Sequence, residues 1–98
     1  MFEVHTTKDF DSWLEKLRDR KARARIQARI DRIELGNFGD VQPVGEGISE
    51  LRIFYGPGYR VYFTKRSSVI VVLLVGGDKS SQDRDIERAK ILAQELEN

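Results

Sequence analysis

The chain is 98 residues long, 40% hydrophobic and 34% charged, with a net charge of +1, a profile that excludes a disordered or membrane-spanning protein. Its length suits a single domain over 1–98, since a chain of this size removes roughly 60 to 70% of its unfolded surface from water and leaves no room for a second core. The absence of cysteine excludes disulfide and thiol chemistry, and the single histidine, His5, excludes a His-rich metal cluster.

The N-terminal MFEVHTTKDF carries acids and lacks the basic-then-apolar pattern of an export signal, so the expected compartment is the cytoplasm, with no membrane partner. Phe2 and Val4 alternate with polar neighbours and predict a short strand over 1–5, in which His5 has a structural place. Thr6 with Asp9 makes a capping-box pattern. Phe10, Trp13, Leu14 and Leu17 then recur at helical spacing, which predicts a helix over 7–18 with Trp13 in the core.

A second helix follows almost at once, because Ala22, Ile26, Ile30 and Ile33 form one narrow apolar stripe and Gly36 supplies a C-cap. Its flanks are crowded with cations: residues 18–32 hold seven Lys or Arg against two Asp. Arg18, Arg20, Lys21, Arg23, Arg25, Arg29 and Arg32 suit three roles: contact with an RNA backbone, a solvated helix face, or docking of an acidic partner.

Residues 36–47, GNFGDVQPVGEG, contain four glycines and a proline and read as an irregular connection. Three strands are predicted after it, over 48–55, 59–65 and 69–75. The last is a continuous Val/Ile/Leu run suited to an interior strand covered on both faces. GGDKSSQ reads as the break that ends the sheet, and Ser80 with Asp83 as a second capping box. Ile86, Ala89, Leu92, Ala93 and Leu96 mark a final helix. The order βααβββα predicts an α+β domain with a mainly antiparallel sheet.

The stretch RIFYGPGYRVYF raises the functional question, because it sets Arg52 and Arg60 where a half-buried sheet favours Thr or Val. With Gly56-Pro57-Gly58 as a three-residue loop, Phe54 opposes Arg60 and Arg52 opposes Tyr62. One face then carries Leu51, Ile53, Tyr55, Tyr59, Val61 and Phe63, and the other carries Arg52, Phe54, Arg60 and Tyr62. A two-residue turn would mix charge into the core, at a desolvation cost that argues for the odd loop. Guanidinium forks beside aromatic rings suit single-stranded RNA. The same face also suits pairing of the arginines with Glu46, Glu50 or the acidic last helix, and stacking on Tyr62.

The segments WLEKLRDRKARARIQARIDRIELGNFGD, VGEGISELR, ELRIFYGPGYRVYF and VVLLVGGDKSSQDRDIERAK together resemble the RelE/ParE superfamily of toxins from type II toxin-antitoxin modules, within it the HigB-like addiction-module killer proteins. The resemblance covers essentially the whole chain. It implies a RelE-like fold, with two N-terminal helices on one face of the sheet and a C-terminal helix. The implied function is a ribosome-dependent mRNA endoribonuclease that inhibits translation and is silenced by a cognate antitoxin, a small helix-turn-helix protein. Arg60 stands in the Gly-Tyr-Arg position at which RelE-like members carry a catalytic arginine, Arg52 matches a basic strand position, and Lys79 falls where relatives place another functional cation. Tyr62 would orient the 2′-hydroxyl or stack a base, and Phe54 would stack. No metal or other cofactor is implied. Active relatives often supply a His or Tyr from the C-terminal segment, and residues 76–98 contain neither. That departure keeps two alternatives open, a ParE-like inhibitor of DNA gyrase and a degenerate protein that only binds its antitoxin.

Overall fold

A computed structural model describes residues 1–96. The elements in chain order are β1 (Glu3–Thr6), α1 (Lys8–Lys16), α2 (Arg20–Glu34), β2 (Val41–Gly45), β3 (Ile48–Ile53), β4 (Tyr59–Lys65), β5 (Ile70–Gly77) and α3 (Gln82–Leu96), with a 3-10 turn, Lys79–Ser81, leading into α3. The strands form one sheet in the order β1-β5-β4-β3-β2, in which β1 runs parallel to β5 and the other three pairings are antiparallel.

The first two helices start where a side chain can satisfy their first amides. The Thr7 hydroxyl accepts from the Phe10 amide at 3.1 Å, so the cap of α1 is Thr7 and not Thr6. Asp19 accepts from the Lys21 and Ala22 amides and restarts the chain as α2 after only a short bend. Gly36, at φ +90°, closes α2 by donating to the Ile33 carbonyl, a conformation that costs glycine little.

The sheet has two buried faces. On one, Ile26, Ile30 and Ile33 of α2 and Phe10 of α1 pack on Leu51, Ile53, Val61, Phe63, Val71 and Leu73, with Trp13, Tyr55 and Tyr59 at the margin. On the other, α3 lays Ala89 and its Ile86, Leu92, Ala93 and Leu96 neighbours over Ile48, Tyr62, Val72, Leu74 and Val75. The expected apolar stripes of α2 and α3 and the doubly covered last strand are all present. Tyr62 pairs with Val75 and Phe63 with Leu73, so Leu74 is a bulged extra residue that turns two consecutive side chains toward α3.

Four further expectations need correction. The connection over 36–47 contains a fifth strand, β2, tolerated despite Pro43 because it lies at the sheet edge with its bulge beside that proline. The sheet does not break at Gly76-Gly77, since β5 runs through both. In place of a capping box at Ser80 and Asp83, Asp78 caps the turn before α3 by accepting from the Ser80 amide. Finally, the β3–β4 ladder closes at Ile53 opposite Tyr59, which makes the link five residues, Phe54 to Gly58, and slides every pair by two from the expected register. Both links are odd, so the assignment to faces survives for the residues within the strands, while Phe54 and Tyr55 pass into the link.

Candidate functional site at one end of the sheet

The ladder sets Arg52 directly opposite Arg60, and Arg60 continues across to Gly77 on β5. Lys79 follows β5 closely, and its β-carbon lies against Gly58 in the β3–β4 link. Three cations expected to act together are thus delivered to one end of the sheet by two strands, β3 and β4, and by the turn that follows β5.

Neither arginine is displayed on an open sheet, as the hairpin alone had suggested, because α3 covers much of that face. Arg60 is 13% exposed and its Nη1 donates to Glu50 Oε1 at 2.9 Å. Glu50 is itself 4% exposed. Its Oε2 accepts from the Tyr62 hydroxyl at 3.2 Å and from Gln82 Nε2, at the start of α3, at 2.8 Å. Arg52, 34% exposed, donates from Nη2 to Asp40 at 3.0 Å. Both pairs are single-pronged, and the Nε of each arginine is buried with no acceptor among the described residues. A guanidinium offers five N–H donors in a fork matched to phosphate, so each retains donor capacity beyond its carboxylate.

Tyr62 is fully buried and therefore closed to a stacking base. Burial first, and then the adjacent Glu50 carboxylate, push its phenol well above the usual range, which removes it as a base at neutral pH. Phe54 is 80% exposed but lies in the turn rather than on the strand face. His5 is at the far edge, on β1, 3.2 Å from Glu3.

The basic helix divides. Arg18, Arg20, Lys21, Arg23 and Arg25 are exposed, with no ion pair among the described residues, and Arg25 sits 4.6 Å over the Tyr55 ring. Arg29 is different. It donates to the backbone carbonyls of Arg52 at 2.7 Å and Phe38 at 3.0 Å, with Asp40 at 3.4 Å, and burial lowers its pKa. It therefore holds the chain entering β2 against the end of β3. An arginine so committed has most of its donors engaged within the fold.

Two members of the constellation are not singled out by the sequence, Asp40 and Gln82. The expected pairing of an arginine with Glu50 is present, between Glu50 and Arg60, and its signal is the spacing of two between Glu50 and Arg52, which puts both on one face. Asp40 and Gln82 had none, because their contacts come from loop and helix placement. No cluster of three or more His, Cys, Asp or Glu among the described residues could hold a metal ion, and no described helix is long and apolar enough to cross a membrane.

The sequence pattern of a family described as phage derived protein Gp49-like (DUF891) matches residues 12–96, a span that includes α2 and the whole arginine cluster. A protein of Haemophilus influenzae described as an uncharacterized protein is 57% identical over 94 residues, which covers 96% of this chain and 95% of that relative.

Proposed function

This chain belongs to the Gp49-like family, a family of RelE/HigB-like toxins, and we propose that it is the toxin of a type II module that cuts mRNA on the ribosome. Toxins of such modules have antitoxin partners. The observation that carries the reading is the alignment of Arg52 opposite Arg60, with Lys79 beside their connecting turn.

RNA supplies its own nucleophile. The 2′-oxygen attacks the adjacent phosphorus, the bond to the 5′-oxygen breaks, and the products are a 2′,3′-cyclic phosphate and a 5′-hydroxyl. One proton leaves the 2′-hydroxyl and one reaches the departing 5′-oxygen. The protein must hold the in-line geometry and offset the charge on the pentacoordinate phosphorus. Arg60 and Arg52 take the second task with the donors their carboxylates leave unused. Lys79, exposed at the rim, gives the 5′-oxygen its proton, and ribosomal groups or water accept the other. Phe54 offers a stacking surface, and Arg18, Arg20, Lys21 and Arg23 engage the ribosomal RNA backbone.

A second reading, inhibition of DNA gyrase in the manner of ParE, is favoured by one observation. The phenol on the arginine face is sealed, and α3 brings neither a His nor a Tyr to this end among its described residues. Mapping mRNA 5′ ends after induction of the wild type, Arg60→Lys and Lys79→Ala separates the two. In-frame cuts on translated messages that fade in both variants support the nuclease. Growth arrest with intact messages and a DNA-damage response overturns it in favour of gyrase, and harmless expression overturns both.

A further inference from the structure

The Glu50 network is lopsided in a way that an ion pair serving stability alone has no reason to be. A buried arginine and carboxylate gain most from a two-pronged fork. Here the carboxylate is oversubscribed and the guanidinium undersubscribed. Glu50 accepts from three donors on three side chains, Arg60, Tyr62 and Gln82, while Arg60 gives it one N–H and keeps an enclosed Nε without an acceptor. The oxygen that could have completed the fork is taken by Tyr62 and Gln82 instead.

From this we infer that Glu50 is a positioning residue for Arg60, and that Gln82 fixes Glu50, so the docking of α3 sets the orientation of the guanidinium. This rests on the reading of Arg60 as the group that meets the scissile phosphate. The physical reason is preorganisation: a flexible cation must be ordered at the moment of reaction, whereas one already held offers its remaining donors without that cost. Glu50 cannot swing, since it is almost fully buried and tied at both oxygens. Tyr62 is equally fixed inside the α3 core. Gln82 is the one member on a separate, partly exposed element, which makes it the place to loosen the network without opening the core.

The test is Gln82→Met, which removes the amide donor, keeps the length of the side chain and leaves the Glu50–Arg60 pair untouched. Two measurements are made on the purified full chain and in a translating extract. The first is hydrogen exchange of the Arg60 Nε–H by nitrogen-15 NMR, with Glu50→Gln as a second variant. The second is the cleavage rate on programmed ribosomes as a function of ribosome concentration. Faster Arg60 exchange in Gln82→Met, with the cleavage rate at saturation down by roughly ten- to a hundredfold and half-saturation unchanged, is expected of misplaced transition-state contacts. Wild-type exchange and wild-type rate in Gln82→Met overturn the positioning role. A wild type that never cleaves, combined with faster exchange in the variant, overturns the nuclease reading and leaves the control of Arg60 by α3 standing.

Discussion

The six-membered ring of Trp13 fills the space that a side chain at Gly76 would need, and on the opposite face Asp85 and Ser81 do the same at Gly77. Two adjacent glycines thus let α1 and α3 approach the last turns of β5 from both sides, next to Arg60. Gly76→Ala drives a β-carbon into an indole already wedged among Phe10 and Tyr59. The expected loss is about 1–3 kcal/mol, the usual cost of overpacking. Urea unfolding followed by Trp13 fluorescence checks it, and an unshifted midpoint would show that the indole is free to move aside.

Removing either partner of the Glu50–Arg60 pair strands the other in the interior. Arg60→Met and Glu50→Leu are each expected to destabilise by about 3–5 kcal/mol, whereas the double variant recovers the part of that loss due to an unpaired buried charge and keeps the cost, about 1–3 kcal/mol, of leaving the Tyr62 hydroxyl without its acceptor. Equilibrium unfolding of all four proteins closes the cycle. Simple additivity of the two single losses would mean that the side chains are not coupled. The cycle also bears on any toxicity assay, because an inactive Arg60→Ala could be an unfolded one.

How much of this was readable beforehand divides along physical lines. The α2 stripe of Ala22, Ile26, Ile30 and Ile33 is buried as its period required, because local periodicity and burial are the same signal. The shared face of Arg52 and Arg60 was also legible, since it depends only on the parity of the link. The pairing itself was not, because Gly56 at φ +57° and Gly58 at φ +79° allow Phe54 and Tyr55 to leave the ladder early. Strand β2 was hidden by its proline and glycines. The closing of the arginine face was hidden for a different reason: it depends on where α3 packs, which no property of the hairpin encodes.

Two phenols are shifted upward, Tyr62 by burial and Glu50, and Tyr59 by burial first and then by nearby acids. For a phenol the protonated form is the one the fold favours. Above the unfolded value of about 10 the unfolded chain releases protons that the folded one retains, so stability falls as pH rises from there toward the folded values. Below about pH 10 these groups give no pH dependence. Chemical unfolding at a series of alkaline pH values is expected to show this decline, and Tyr62→Phe to flatten it. A decline of undiminished slope in that variant would place its origin elsewhere.

The division of the basic helix predicts two separable defects. Arg20→Gln and Arg23→Gln remove exposed charges that no carboxylate among the described residues engages, so the fold should be unaffected while binding to ribosomes weakens. The slope of log affinity against log salt should shrink by about 0.7 for each single-strand phosphate that the variant no longer neutralises. Arg29→Gln should do the reverse. It leaves the carbonyls of Phe38, Asp40 and Arg52 without their donor, with an expected stability loss of about 1–3 kcal/mol. Its salt slope should match the wild type, because a guanidinium occupied by three backbone oxygens has little left for phosphate. Affinity measured across a salt series, beside urea unfolding of the same proteins, separates these outcomes. A reduced slope in Arg29→Gln at full stability would return that residue to the RNA-facing set and remove the clamp.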